Sequence, residues 1–440
     1  MKRFLLASLG FLFVVGRPVC GAEDGFRPLF NGHDLAGWVP VNVAPETFTA
    51  RDGMIVSTGR PTGVIRTDHQ YENFILELEW RHMQPGGNAG LFVWSDGLPD
   101  VGVPFTRSFE VQILDGQNTR DYTSHGDIFG IWGATMTPDR PHPSGWMRCL
   151  PSERRAKPSP GWNHYRVTCN DGTIKLAVNG KEVSGASRCV PRKGYLCLEA
   201  EGSECHFRNL MIKELPSTGA TEAETAARDE GFVSLYSGLD LRGWTISDPG
   251  HAGHWKATNA ILSYDGKSTA KDRDLWTEKA YGDFILVADW RLPGKPSPRR
   301  RPVVLPNGDD ARNPDGSPKT REIPYAGDSG ILLRGQEKAQ VNITCNTIGS
   351  GELYGYRTDK SLPADVRTGA IPKVKADAPL GKWNRFVITM RKDRLTVVLN
   401  GKTVIDDTQL PGLPGRGPIG LQHHGDPVQF TNLFIKELDR

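Results

Sequence analysis

Net charge is almost absent from this sequence: 54 Lys and Arg stand against 51 Asp and Glu, a formal excess of +3 over 440 residues. That balance provides no global field for nucleic acid or an anionic membrane surface. The densest basic cluster, Arg299-Arg300-Arg301, reads as a solvated loop tip between prolines. Long apolar runs are missing beyond the N-terminus, and no later stretch approaches the roughly 20 residues that a bilayer span needs. Amphipathic helices of normal length are missing too. The 50 Gly and 32 Pro, nearly a fifth of the chain, exclude a helical bundle or coiled coil. No Cys-x-x-Cys or Cys/His spacing suggests zinc.

What is present begins with an export signal. Lys2 and Arg3 precede the apolar run Phe4 to Val15, and Cys20-Gly21-Ala22 offers a small-x-small cleavage site before Glu23. The run is too short to span a bilayer and suits a signal-peptide core. The mature protein is therefore expected to be periplasmic or secreted. A lipoprotein anchored at Cys20 fits less well, because Val19 is not the small residue usual before a lipidated cysteine. Of the remaining cysteines, Cys149, Cys169, Cys189, Cys197 and Cys205 lie in the first half and Cys345 alone in the second. In an oxidising compartment one or two disulfides are expected.

The chain also repeats itself. Phe26-Arg-Pro-Leu-Phe-Asn-Gly-His-Asp-Leu-Ala-Gly-Trp38 matches Phe232-Val-Ser-Leu-Tyr-Ser-Gly-Leu-Asp-Leu-Arg-Gly-Trp244. The segments starting at Tyr71 and Tyr281, at Trp162 and Trp383, and at Phe207 and Phe430 match in the same order. This predicts a signal peptide at 1–22, a first domain at 25–216, a linker at 217–230 and a second domain at 231–440. The second copy carries a polar insertion, Pro293 to Ile323, expected as a flap or a rim. Within each copy, short runs such as Phe74-Ile-Leu-Glu-Leu-Glu-Trp80 and Leu395-Thr-Val-Val-Leu399 alternate with period two, and Asn179-Gly180 and Asn400-Gly401 mark hairpin turns. The expected fold class is all-β: two tandem concanavalin-like jelly-roll β-sandwiches.

The segment Phe109-Glu110-Val111-Gln112-Ile113-Leu114-Asp115 is the most informative for chemistry. Glu110 and Gln112 share one face of a strand, and a single bulge after Gln112 would return Asp115 to that face. Paired carboxylates are what glycoside hydrolysis requires, and the spacing resembles the Glu-x-Asp-x-x-Glu strand of laminarinase-like glycosidases, with an amide in the middle. His125 and Asp127, two apart, form either a general-base pair, two metal ligands or a surface pair. Asn88 precedes a strand and is placed to line a sugar site. In the second copy Glu110 and Gln112 align with Gln340 and Asn342, and Asp115 with Cys345. That copy offers Arg334, Glu352, Arg357 and the Gln422-His423-His424 run instead, with His423 and His424 on opposite faces. Trp80, Trp94, Trp132 and Trp290 are candidates for sugar stacking or core packing.

With these residues in view, the chain resembles the 3-keto-disaccharide hydrolase domain family of exported bacterial proteins. The resemblance covers both copies. It is carried by Leu-Phe-Asn-Gly-x-Asp-Leu-x-Gly-Trp at 29–38 and its counterpart at 235–244, Phe109-Glu-Val-Gln-Ile-Leu-Asp115, Asp328-Ser-Gly-Ile-Leu-Leu-Arg334, Gly420-Leu-Gln-His-His-Gly425 and the two Asn-Leu-x-Ile-Lys-Glu-Leu ends. It implies action on glycosides oxidised at C3: removal of the C2 proton, loss of the C1 substituent, then addition of water. The implied roles are Glu110 or His125 as base, Asp115 as acid, and Gln112, Asp127 and Asn88 as binding or orienting groups. A divalent cation polarising the ketone is compatible, and no metal ligand is fixed. In the second copy Arg334, Glu352, Arg357 and His424 would bind a polar ligand. The first copy departs from the family at Trp94, where Arg is frequent. A non-catalytic glycan-binding protein and a laminarinase-type glucanase are the competing readings, and the partner in every case is carbohydrate.

Overall fold

The computed structural model describes residues 25–115, 126–229, 231–246, 248–269 and 274–438. The expected signal peptide and His125 lie outside the described residues. Each copy is a pair of antiparallel sheets closed over its own apolar core. In the first copy, a nine-stranded sheet is centred on Phe74–His82, between Asn163–Asn170 and Cys205–Glu214. Its partner has seven strands and contains, side by side, Ile128–Ile131, Ser108–Leu114, Asn88–Ser95, Tyr195–Ala200 and Gly63–Thr67. The second copy repeats this with an eight-stranded sheet around Phe284–Arg291 and a five-stranded sheet holding Gly420–Leu421, Asp328–Leu333 and Gln336–Thr344. Two short helical turns, Tyr354–Arg357 and Ala364–Gly369, follow.

The period-two alternation has its expected effect. Along Phe74–His82 every second side chain is buried, so Phe74, Leu76, Leu78 and Trp80 face the core. Most shared motifs turn out to be structural devices. The Asn31 carboxamide accepts the His33 and Asp34 N–H groups, and the Ser237 hydroxyl accepts those of Leu239 and Asp240, so both copies of the first motif fold the same tight turn. Asn163 Oδ1 accepts from Lys157 N and Asn179 Nδ2, and Asn384 Oδ1 accepts from Ala378 N and Asn400 Nδ2. Asn179 and Asn400 sit at φ of 48° and 49°, the left-handed region that Asn tolerates.

Arg334 is one of these devices. It lies buried away from any cleft, donating to the Gly282, Lys392 and Pro414 carbonyls and pairing with Asp283 at 3.0 Å. Trp94, at the matching place, donates its indole N–H to the Glu72 carbonyl at 2.7 Å. The Trp-for-Arg exchange is thus an exchange of buried donors, and Arg334 is not a ligand-binding group. Trp80, Trp94 and Trp290 are likewise core residues.

Other expectations are corrected. All six described cysteines are buried free thiols. The arginine run forms part of a hairpin, Ser297–Pro302 with Thr320–Tyr325, rather than a loop tip. Arg299 lies 3.9 Å over the Tyr325 ring. The segment following Leu215 runs along the first sandwich: Glu72 accepts from Ser217 and Ala220, Arg192 pairs with Glu224, and Asp229 pairs with Arg66. It carries one 3-10 turn, Glu222–Glu224.

The copies also touch. Asp289, fully buried, accepts from Arg385, Asn432 and the Gly102 N–H of the first copy. Arg385 reaches the Pro99 carbonyl at 2.9 Å. An apolar patch of Val41, Val64, Phe92, Val287 and Phe434 lies alongside.

Candidate active site

Three adjacent strands build the first copy's cleft. Ser108–Leu114 presents Glu110 and Gln112, Asn88–Ser95 presents Asn88 and Gly90, and Tyr195–Ala200 presents Glu199, with Glu201 just beyond its end. Gly90 leaves room for both carboxyls on the central strand. A Cβ there would lie 2.8 Å from Glu199 Oε2 and 3.0 Å from Glu110 Oε1. Glu110 and Glu199 thus converge on one point from opposite sides. The cleft, about 320 Å³, is completed by Phe105, Phe129, Ile131 and Trp132. Trp132 is 43% exposed at its mouth, an aromatic face open for stacking on a sugar ring.

Burial sets the proton affinities. It pushes the Glu110 carboxyl up to about 8, helped by the charges of Glu201 and Asp127 and opposed by Arg148. Glu199, 2% exposed, is raised well above the usual carboxylate range by burial and then by Glu110 and Glu201. Glu201 is raised by burial too, and Asn88 Nδ2, donating to Glu201 Oε2, opposes that rise. Three carboxyls that cannot all ionise together form a proton store at neutral pH.

The expected catalytic set is only partly assembled here. Glu110, Gln112 and Asn88 line the cleft. Asp115 does not. Pairing runs unbroken from Phe109–Val93 to Leu114–Asn88, so no bulge returns Asp115 to the Glu110 face. Its carboxylate instead accepts from the Ser159 N–H at 3.1 Å and from the Ser159 hydroxyl. Asp127 is fully buried behind the strand, paired with Arg148. It acts on the cleft through its charge, without touching a ligand. Glu199 and Glu201 escaped the sequence reading. The available signal was their i, i+2 spacing, which puts two carboxylates on one face at the end of a strand.

The second copy has a cleft of about 450 Å³ at the corresponding strands. Here Gln340 Nε2 donates to Gln422 Oε1 at 2.6 Å, so an amide pair stands where Glu110 and Glu199 stand. Gly330 occupies the place of Gly90, next to Gln340. Glu352 and Arg357 form a buried pair matching Asp127 and Arg148, and the backbone agrees: Gln112 N donates to Asp127 O, and Asn342 N to Glu352 O. His424 lines this cleft while His423 turns inward against Tyr264, the opposite-face arrangement read from the sequence. Arg301, from the inserted hairpin, reaches Asp328 at 3.2 Å, so the insertion forms a rim. Among the described residues, no three His, Cys, Asp or Glu side chains are placed to hold a metal ion, and no helix is long and apolar enough to cross a membrane.

Several known proteins are similar to this chain. A 3-keto-disaccharide hydrolase of Bacteroides thetaiotaomicron is 26% identical over 180 residues. That match takes in 36% of this chain and 58% of the relative, so the chain spans little more than half of that protein's length. Among solved structures, a candidate glycosyl hydrolase from Parabacteroides distasonis is 23% identical over 44% of this chain and 94% of its own, with a TM-score of 0.36. The carbohydrate-binding module CBM66 from Bacillus subtilis is 13% identical over 40% of this chain and 96% of its own, with a TM-score of 0.27. The model of the 3-keto-alpha-glucoside-1,2-lyase-like domain matches residues 25–213 and again 231–436. Nearly all of the described chain falls within these two matches, and the chain therefore belongs to the 3-keto-alpha-glucoside-1,2-lyase-like domain family, carrying the domain twice.

Proposed function

We propose that the first copy cleaves glycosides oxidised at C3, by proton abstraction from C2 and expulsion of the C1 substituent. The observation that carries this is the convergence of Glu110, Glu199 and Glu201 in one cleft beside an exposed tryptophan. A C3 ketone acidifies the C2–H bond, so a carboxylate suffices as base. Glu201, whose charged form the Asn88 amide favours against the effect of burial, takes the C2 proton, and the electron pair forms an enediolate across C2 and C3. As the C3 carbonyl re-forms, a C1–C2 double bond forms and the C1–O bond breaks. Glu110, which holds its proton up to about 8, donates it to the leaving oxygen. Glu199, raised well above the usual carboxylate range by burial and then by Glu110 and Glu201, holds a proton of its own beside them. Water added across the C1–C2 double bond gives net hydrolysis. The Bacteroides relative's name, 3-keto-disaccharide hydrolase, supports this substrate class. The export signal expected at residues 1–22 would put this action outside the cytoplasm.

The test is release of the aglycone from a 3-keto-disaccharide, followed together with exchange of the C2 hydrogen into deuterated solvent. Glu201→Gln should lose both. Glu110→Gln should keep exchange and lose release by about a hundredfold or more, the usual scale of general-acid catalysis. The alkaline fall of the wild-type rate near pH 8 should disappear with it. Wild-type release in both variants would overturn the assignment. Saturable binding without release in the unaltered protein would favour a glycan-binding role.

A further inference from the structure

The second copy's cleft is a built site that the proposed chemistry does not use. We propose that it is a saccharide-binding site for neutral sugars, which holds them by their hydroxyls and does not turn them over. The proposal stands whether or not the first cleft is catalytic.

Charge supports a neutral ligand. Each cation at the cleft already faces a carboxylate. Arg301 pairs with Asp328 at 3.2 Å, and Arg357 pairs with Glu352 and, at 3.0 Å, with Asp310. With both guanidinium groups engaged by Asp328, Glu352 and Asp310, the cleft has no cation left over for a phosphate, whereas an anion site would leave its guanidinium groups without internal partners. Hydrogen-bonding capacity supports hydroxyls. Gln340, Asn342 and Gln422 all line the cleft, and a carboxamide both donates and accepts, as a sugar hydroxyl requires.

Shape supports a sugar ring. Tyr354 lies at the mouth, 55% exposed. Its ring is fixed by the Arg357 guanidinium, 5.3 Å from the ring centre. The first cleft has Trp132 in the same relation to its own polar floor. An exposed aromatic kept beside each cleft, on unrelated local sequence, serves an apolar sugar face better than it serves folding, since exposure of a large ring contributes nothing to the core.

The absence of turnover follows from the amide pair. Where the first copy sets Glu110, the proposed proton donor to the leaving oxygen, the second sets Gln340, hydrogen-bonded to Gln422, which at neutral pH has no proton to give. The site therefore retains an intact saccharide and would hold oxidised and unmodified sugars alike. Its consequence is a bifunctional chain, one cleft that reacts and one that retains substrate or glycan nearby.

The test uses the full chain and unmodified disaccharides, which the first cleft's chemistry cannot consume. Trehalose and cellobiose are titrated by calorimetry, with glucuronic acid as the charged control. At least one neutral disaccharide should bind, more tightly than glucuronic acid. Tyr354→Ala and Gln422→Ala should each weaken that binding about tenfold, equivalent to about 1.4 kcal/mol. Tyr354→Phe should retain it, and circular dichroism establishes that each variant is folded. The proposal is overturned if no disaccharide binds, if binding is untouched by the Tyr354 and Gln422 variants and lost in Trp132→Ala, or if glucuronic acid binds more tightly than every neutral sugar. Loss of 3-keto-disaccharide cleavage in Gln422→Ala with cleavage intact in Glu110→Gln would make the second cleft catalytic, and would also overturn it.

Discussion

Glu110→Gln should make the first domain more stable, by an amount that grows as pH rises from about 4.5 to about 8. In the native protein the Glu110 carboxyl holds its proton up to about 8, against 4.5 for an ordinary glutamate. Between those values the folded state binds a proton that the unfolded chain has released, so stability falls as pH rises through the window. Below about 4.5 both states are protonated and there is no differential. Above 8 both are charged, and the folded protein bears the whole cost of the buried charge. At about 1.36 kcal/mol per pH unit the interval corresponds to about 5 kcal/mol. Glu110 keeps part of its surface in water, which screens that cost, and the glutamine amide must itself be desolvated. We expect a net gain of about 2 kcal/mol at pH 9 and close to none at pH 5. This is about 4–8 °C in the melting temperature of a domain this size. Urea unfolding of the two proteins at pH 5, 7 and 9 measures it directly. A difference that does not change with pH, or a loss of stability at pH 9, would refute the argument that burial and like charge set the Glu110 proton affinity.

Gly90→Ala places a methyl 2.8 Å from Glu199 Oε2 and 3.0 Å from Glu110. Cleavage of a 3-keto-disaccharide should fall about tenfold or more, with stability reduced by about 1–3 kcal/mol; an unchanged kcat would mean the carboxyls do not need that approach. Arg334→Met removes the cation facing Asp283, which keeps only the Lys392 N–H, and the donors to the carbonyls of Gly282, Lys392 and Pro414. Urea unfolding of the second domain should show a loss of about 3–5 kcal/mol, and a loss below about 1 kcal/mol would contradict the structural role given to it. Asp289→Ala leaves Arg385, Asn432 and the Gly102 N–H without their acceptor at the contact between the copies. Scanning calorimetry should then resolve two transitions separated further than in the unaltered protein.

The fold was legible because its signals are local. Alternation over Phe74–Trp80 and the Asn-Gly turns depend on neighbours in sequence, and duplication supplied every signal twice. The cleft was legible only where one strand carries it, at Glu110 and Gln112. Glu199 lies far along the chain and meets Glu110 because Gly90, on the strand between them, has no side chain, and no spacing rule reports a meeting across three strands. Asp115 failed for the reverse reason. A bulge is a one-residue event that the residues Gln112 to Asp115 permit but do not require, and the ladder to Asn88 through Val93 runs without it. Arg334 was misread because a charged residue in a shared motif suggests a ligand, whereas three backbone carbonyls and one carboxylate already use its donors.

The differences between the copies follow from which buried groups depend on each other. Asp127 with Arg148 and Glu352 with Arg357 keep an acid–arginine pair at the corresponding place in each copy. Removing one member of such a pair leaves an uncompensated buried charge, at a cost of about 3–5 kcal/mol, so the two residues are constrained together. Glu110 and Glu199 are not bound in this way. They repel, and replacing them with amides relieves that repulsion while creating the Gln340–Gln422 hydrogen bond at 2.6 Å. On stability alone the amide pair is the better choice at this position. Retention of carboxyls in the first copy therefore requires a reason other than folding, and proton transfer in the cleft supplies one.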